Sequence, residues 1–343
     1  MNKFSKLSKG DKVAVLSPSF AAPGMFPAVY ELGLERLRTI FELEPVEYPT
    51  TRKLGASGGE RAADLVAAFT DSDIKAVIAT IGGDNQVTYI KHLPPEPFRE
   101  NPKPFFGYSD NSHFCNFLFL QGIASYYGGS IMTQYAMQGE MDAYTIEYIK
   151  YALFDHGEKE LVASETYTDQ GHDWHDESLL HTPRPHWKNE GYVWDGEQSA
   201  SGILWGGCIE SIDEMLRHDT PIPTLEQFST IVLMLETSEE IPSASYVSRV
   251  MRAFGERGIL ECVQGVLVGR PKAWEFDTPH TPAQKATYTK QQQESILKTV
   301  RHYNSVIPVV QNMNFGHTDP QIPMPYGGEM RIDVHERKIF ADF

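Results

Sequence analysis

The sequence predicts an α/β protein built in two parts. Short apolar runs alternate with helical-period segments through the first half of the chain, which argues a parallel sheet covered by helices on both faces. Two of those runs end in polar turns, Ile81-Gly82-Gly83-Asp84-Asn85 and Gly107-Tyr108-Ser109-Asp110-Asn111. Open parallel sheets gather ligands at such strand ends. A Pro-broken aromatic stretch then separates this half from a second series of strand-like runs. The expected architecture is a Rossmann-like parallel-sheet N-terminal domain (residues 1–165), a linker and substrate loop (166–197) and a smaller mixed α/β C-terminal domain (198–343), with the site in the cleft between the domains.

Lys12 to Ser17, with its Val-Ala-Val-Leu run, reads as the first strand. Ala28 to Phe41 reads as a helix with Leu34, Leu37 and Phe41 on one face, and Gly59 to Phe69 as a second with Leu65, Val66 and Phe69 inward. Ile74 to Thr80 is a strand and Asp84 to His92 begins a helix. Phe105 to Tyr108 is a strand, and Ser112 to Gln121 a helix. Residues 166–197 hold Tyr167, Trp174, Trp187, Tyr192 and Trp194 together with His172, His175, His181 and His186; Pro183 and Pro185 break any helix there. Beyond them Gly202–Cys208, Thr230–Leu235, Glu261–Gly269, Val306–Asn312, Met330–Val334 and Lys338–Ala341 read as strands, and Ser245–Arg257 and Pro282–Tyr303 as helices. The segment from Val334 to Lys338 turns the final hairpin.

The 343 residues are 41% hydrophobic and 22% charged, the balance of a globular protein of about two domains. A formal net charge of −16 argues against a nucleic-acid polymer as partner. No apolar run approaches the roughly 18 residues of a membrane span. The basic N-terminus lacks a signal-peptide core and a cleavage site. Three widely spaced cysteines, Cys115, Cys208 and Cys262, suggest no disulfide framework, and a cytoplasmic setting is expected.

The stretch from Pro104 to Phe117 carries the chemistry. An apolar run, a Gly, a Ser and Asp-Asn-Ser before a new periodic segment spell strand, sharp turn and helix. A Ser there is exposed above a sheet edge, where free backbone N–H groups can hold an oxyanion. The plain alternative is an N-cap, since the second Gly of a G-x-S-x-G elbow is missing. A Ser hydroxyl also needs a base. His317, between Gly316 and Thr318, is a candidate. Glu236, ending the apolar run Ile231–Leu235, could orient it, with Glu239 and Glu240 as competitors. The Gly82-Gly83 pair would let backbone approach a ligand closely, or simply make a tight turn.

Taken together, IGGDN, GYSD, IVLMLE and FGHTDPQIPMPYG resemble the serine peptidase family that contains the LD-carboxypeptidases and the microcin C self-immunity proteins. The resemblance runs from Gly10-Asp11-Lys12 to Gly316-His317-Thr318. Gly82-Gly83-Asp84 looks more like the microcin-immunity branch; murein carboxypeptidases usually carry Arg-Gly-Gly there. The resemblance implies a Ser-Glu-His triad on Ser109, Glu236 and His317, with an oxyanion hole from the backbone of Gly83 and Asp110.

It also implies amide hydrolysis of a small peptide-like or aminoacyl-nucleotide substrate without a cofactor or metal. Gly82, Tyr167, Trp174, Trp187, Cys208 and Glu240 are expected at the substrate. Trp174 matches one of the branch's base-stacking aromatics; the other falls on Tyr167, with Trp187 or Trp194 as alternatives. Two departures stand out: the family's Gly-Gly-Asn is Gly206-Gly207-Cys208 here, and Glu240 replaces a Lys. Glu240 would then disfavour acidic acyl groups. The expected assembly is a homodimer. The alternatives are a murein LD-carboxypeptidase and, in another class, a non-catalytic two-domain binding protein.

Overall fold

The computed structural model describes residues 5 to 343. The first four residues of the expected N-terminal domain lie outside the described residues.

In chain order the strands are β1 (Lys12–Leu16), β2 (Glu44–Glu47), β3 (Ile74–Ala79), β4 (Phe105–Gly107), β5 (Ser125–Tyr127), β6 (Glu158–Glu160), β7 (Thr166–Tyr167) and β8 (Trp187–Lys188). They continue as β9 (Val193–Asp195), β10 (Ala200–Cys208), β11 (Ile231–Glu236), β12 (Gly265–Gly269), β13 (Val309–Met313), β14 (Met324–Tyr326), β15 (Glu329–Asp333) and β16 (Lys338–Asp342). One sheet has the order β14-β5-β4-β3-β1-β2, and the other β6-β16-β15-β10-β11-β12-β13-β9.

In the first sheet β2, β1, β3, β4 and β5 run parallel, and β14 closes the edge antiparallel to β5. The order 2-1-3-4-5 reverses between β1 and β3, where doubly wound sheets open a crevice at their carboxyl ends. The second sheet has a parallel centre, β10 to β13, flanked by antiparallel strands. Its central strands β11 and β12 are buried at every position, as helices on both faces require. Helix starts follow local chemistry. Ser57 and Glu60 form a reciprocal capping box at Gly58–Thr70, and Thr281 and Gln284 form another at Pro282–Tyr303.

Several elements depart from the expectation. Asp84–His92 forms two short 3-10 turns, Gln86–Thr88 and Ile90–His92, rather than a helix. The Asp110 carboxylate accepts the N–H groups of Asn85 and Gln86, each at 3.1 Å, and anchors the start of that segment. The expected strand Glu261–Gly269 begins only at Gly265, because Ile259–Cys262 is a helical turn. Residues 166–197 are more than a linker: β7 and β8 pair with each other, and β9 pairs with β13 as the edge strand of the second sheet. Among the described residues no helix is long and apolar enough to cross a membrane.

The two sheets meet through glycine. β14 lies in the first sheet and the next strand, β15, in the second. Leu204 exchanges backbone bonds with Gly327 and Gly328 at that crossing. Gly206 and Gly207 have φ of +148° and +129°. A Cβ on Gly206 would lie 1.7 Å from Met234 O, and one on Gly207 2.5 Å from Ser112 Oγ. Without a side chain on Gly206 β10 closes on β11, and without one on Gly207 the start of the helix Ser112–Leu120 comes up against β10, where Ser112 Oγ accepts the Cys208 N–H at 3.0 Å.

Candidate active site

Ser109 stands where β4 gives way to the helix Ser112–Leu120, at φ +64°. That left-handed conformation costs a non-glycine residue about 1–3 kcal/mol, so the surroundings must hold it. Its N–H donates to Tyr127 Oη at 3.1 Å. Its carbonyl accepts from Ser112 Oγ at 2.7 Å and Ser211 Oγ at 3.3 Å. Gly82 passes so close that a Cβ would lie 3.0 Å from Ser109 Oγ and 3.3 Å from Asp110 N. Gly83, at φ +144°, presses against Ser19 from the end of β1. The neighbouring Asp110 faces inward; burial raises its carboxyl pKa, and His113 Nε2 lies between it (3.5 Å) and Glu214 (3.2 Å).

Glu236, buried at the end of β11, reaches the same place from the second sheet. Its Oε1 accepts the Tyr127 hydroxyl at 2.5 Å, and its Oε2 lies 2.7 Å from His317 Nδ1. Gly316 makes this approach possible. Its φ is +91°, and a Cβ there would lie 2.5 Å from Glu236 Oε2. The other ring nitrogen, His317 Nε2, lies 3.0 Å from Glu239 Oε2. Burial alone would lower the imidazole pKa. The two carboxylates outweigh it and hold His317 up at about 10. In return, the imidazolium outweighs desolvation of Glu239 and holds that carboxyl down at about 2.

Ser109, His317, Gly82, Gly83, Trp174 and Glu239 line one cavity of about 440 Å³. Trp174 meets Phe26 edge-on, with ring centroids 5.4 Å apart, on its outer wall. Arg184 reaches in and pairs with Asp319 at 2.8 Å; Lys272 pairs with Glu275 at 2.6 Å.

Tyr167, Trp187, Cys208 and Glu240, also expected at the substrate, fall elsewhere. Tyr167 lies under the Arg270 guanidinium, and Trp187 packs against Tyr167 and Lys285 behind the wall. Cys208 is buried, its thiol 3.1 Å from Glu210 and its pKa pushed well up, chiefly by burial. Glu240 faces a separate surface depression beside Ser243, His280 and Tyr288. Its N–H donates to Ser238 Oγ, and Ile241 at φ +51° turns the chain away from the cavity. The loop histidines find local partners: His172 the Pro183 carbonyl, His175 Asp173, and His186 Asp142.

Two side chains at the site lay outside the sequence reading. Tyr127 ends β5 and Ser211 lies in the helix Ile209–Arg217, two elements the sequence reading left unassigned, and neither residue belongs to a motif. Glu239 was visible only as a competitor of Glu236, yet both contact the same imidazole.

Residues 13–128 match the family model of the LD-carboxypeptidase N-terminal domain, and residues 201–332 that of the LD-carboxypeptidase C-terminal domain. The chain belongs to the LD-carboxypeptidase family. The resemblance seen in the sequence therefore holds, and this LD-carboxypeptidase family member is a peptidase-type hydrolase. It is 26% identical to the putative carboxypeptidase YocD of Bacillus subtilis, over 96% of this chain and 95% of that protein. It is 23% identical to the microcin C7 self-immunity protein MccF of Escherichia coli, over 97% and 93% respectively. The crystal structure of an MccF-like protein from Streptococcus pneumoniae in complex with AMP superposes with a TM-score of 0.84, at 26% identity, covering 97% of this chain and 99% of that one. MccF in complex with aspartyl sulfamoyl adenosine shares the fold at a TM-score of 0.85 and 20% identity, covering 99% of this chain and 98% of that one.

Proposed function

We propose that this family member is a serine hydrolase that cleaves the amide of an aminoacyl-nucleotide or similar peptide-like substrate. One observation carries the reading: Ser109, held in a left-handed turn, and His317, bonded through Nδ1 to the buried Glu236, open onto one cavity.

Ser109 Oγ attacks the scissile carbonyl carbon while His317 Nε2 accepts the hydroxyl proton. Glu236 orients the ring and stabilises the imidazolium, and Tyr127 holds Glu236 in turn. The backbone N–H groups of Gly83 and Asp110 hold the oxyanion. The C–N bond breaks as His317 returns the proton to the leaving nitrogen. A water, deprotonated by the same imidazole, then attacks the acyl ester; the free acid leaves and Ser109 regains its proton.

The nucleotide part of the reading rests on the Trp174–Phe26 wall, which offers aromatic surface to a base, and on relatives solved with AMP and aspartyl sulfamoyl adenosine. The test is mass spectrometry of the products from a panel of aminoacyl sulfamoyl adenosines and a murein tetrapeptide. Release of free amino acid from the nucleotide substrates, absent in Ser109→Ala, is the expected result. Turnover of the tetrapeptide alone would assign the chain to murein peptides instead.

A further inference from the structure

The carboxylates of the cavity wall are accounted for with one exception. Asp319 pairs with Arg184 at 2.8 Å, Glu275 with Lys272 at 2.6 Å and Asp169 with Lys285 at 2.5 Å, while Asp173 accepts from His175 at 2.9 and 3.0 Å. None of these partners has a part in the proposed chemistry. Glu239 differs: its partner is His317 Nε2, the nitrogen that must face Ser109 for the proton to pass. Whenever His317 turns to that task, Glu239 loses its bond. It is then a carboxylate at a cavity rim, half-exposed, with the nearby Lys272 already committed to Glu275.

Such a group is a ready acceptor for an incoming cation, and position limits which one. Glu239 Oε2 is one hydrogen bond from His317 Nε2, which must itself be one hydrogen bond from the Ser109 hydroxyl during attack. A cation reaching Glu239 therefore sits within a bond or two of the scissile carbonyl. In an aminoacyl amide that position belongs to the free α-ammonium. In an N-acylated peptide it belongs to a neutral amide nitrogen, which brings no charge.

We propose that Glu239 is the seat for a free α-ammonium group beside the scissile carbonyl, so that the enzyme selects aminoacyl amides over N-acylated peptides. The proposal rests on the serine-hydrolase reading and refines its substrate. Glu239 occupies His317 in the resting enzyme and is drawn off by the arriving ammonium. Its departure removes one of the two carboxylates that keep the imidazole protonated, which makes His317 a base when substrate is in place. A substrate without the ammonium must break the Glu239–His317 contact with nothing to replace it.

The experiment compares alanyl sulfamoyl adenosine with its N-acetyl counterpart on the wild type, Glu239→Gln and Glu239→Ala. Glu239 lies in a turn with half of its side chain in solvent, so both variants should fold; thermal melting checks this. Labelling of Ser109 by a fluorophosphonate, which carries no amine, is read in parallel. The wild type should favour the free amine in kcat/KM by at least about tenfold, since a site built around a polar group discriminates strongly against substrates lacking it. Both variants should bring that ratio to within about threefold, mostly by losing rate on the free amine, while Ser109 still labels. An unchanged ratio in the variants, or equal wild-type rates on both substrates with labelling intact, overturns the role of Glu239 alone. Failure of Ser109 to label in both the wild type and Glu239→Ala, where nothing occupies His317 Nε2, overturns the serine reading and this proposal with it.

Discussion

The Tyr127 hydroxyl donates to Glu236 Oε1 at 2.5 Å while accepting the N–H of Ser109 at 3.1 Å. One oxygen therefore ties the turn that presents the Ser to the acid that orients the His. The two come from different sheets, and β5 ends at the point where they meet. Burial and the adjacent carboxylate push the phenol pKa well up, so Tyr127 stays a donor.

Tyr127→Phe keeps the ring and removes that oxygen. It leaves a buried carboxylate oxygen and the Ser109 N–H without these partners, so a stability loss of about 1–3 kcal/mol is expected in denaturant unfolding. A misplaced base costs far more rate than stability, up to about 100-fold in kcat. Wild-type kcat in the variant would mean that Tyr127 only fills space.

Gly316→Ala tests how His317 reaches Glu236. The new Cβ would sit at φ +91° and 2.5 Å from Glu236 Oε2. The expected result is a destabilisation of about 1–3 kcal/mol with kcat lost beyond what the lower stability explains. Gly59→Ala is the control. It lies inside the helix Gly58–Thr70 with nothing within 4 Å of the added carbon, and should stabilise by about 0.4–1 kcal/mol.

The legibility of the site followed its chain locality. The β4–turn–helix sequence around Ser109 and the strand-end position of Glu236 are local patterns, and both were readable. Tyr127, Ser211 and the Gly206–Gly207 contact depend on which strands become neighbours across two sheets, and no local pattern encodes that. Asp84–His92 misled because its polar start reads as a helix cap, whereas Asp110, remote in sequence, takes the amides. The family resemblance pointed to Glu240. The turn at Ser238 and Ile241 instead sends Glu239 to the cavity and Glu240 away from it.

The His317–Glu239 contact should make stability depend on pH in a defined window. His317 rises from 6.5 to about 10, so its contribution is full below about 6.5 and disappears as pH climbs toward 10. Glu239 falls from 4.5 to about 2, so its contribution is full above about 4.5 and disappears as pH drops toward 2. Glu239→Gln should therefore destabilise most between about pH 4.5 and 6.5, with the difference from wild type shrinking toward pH 10. Urea unfolding at pH 5.5 and 9.5 measures this. A gap that is equal at both values would show that the two side chains are not coupled.

Trp174→Ala should weaken binding of a nucleotide-bearing substrate by roughly 1–3 kcal/mol, the range for a base stacked on an aromatic ring. A small amide with no base should lose little. Isothermal titration of Ser109→Ala/Trp174→Ala against Ser109→Ala, with the intact nucleotide substrate, separates binding from turnover. Equal losses on both substrates would make Trp174 a support for its loop rather than a platform.

Peptide mapping after fluorophosphonate treatment tests the activated serine most directly. The expected adduct is a single one on Ser109, formed by the wild type, absent from Ser109→Ala and strongly slowed in His317→Ala, with chain melting unchanged. A Ser109 left unlabelled in both the folded wild type and folded Glu239→Ala, or an adduct that forms just as fast without His317, would contradict it.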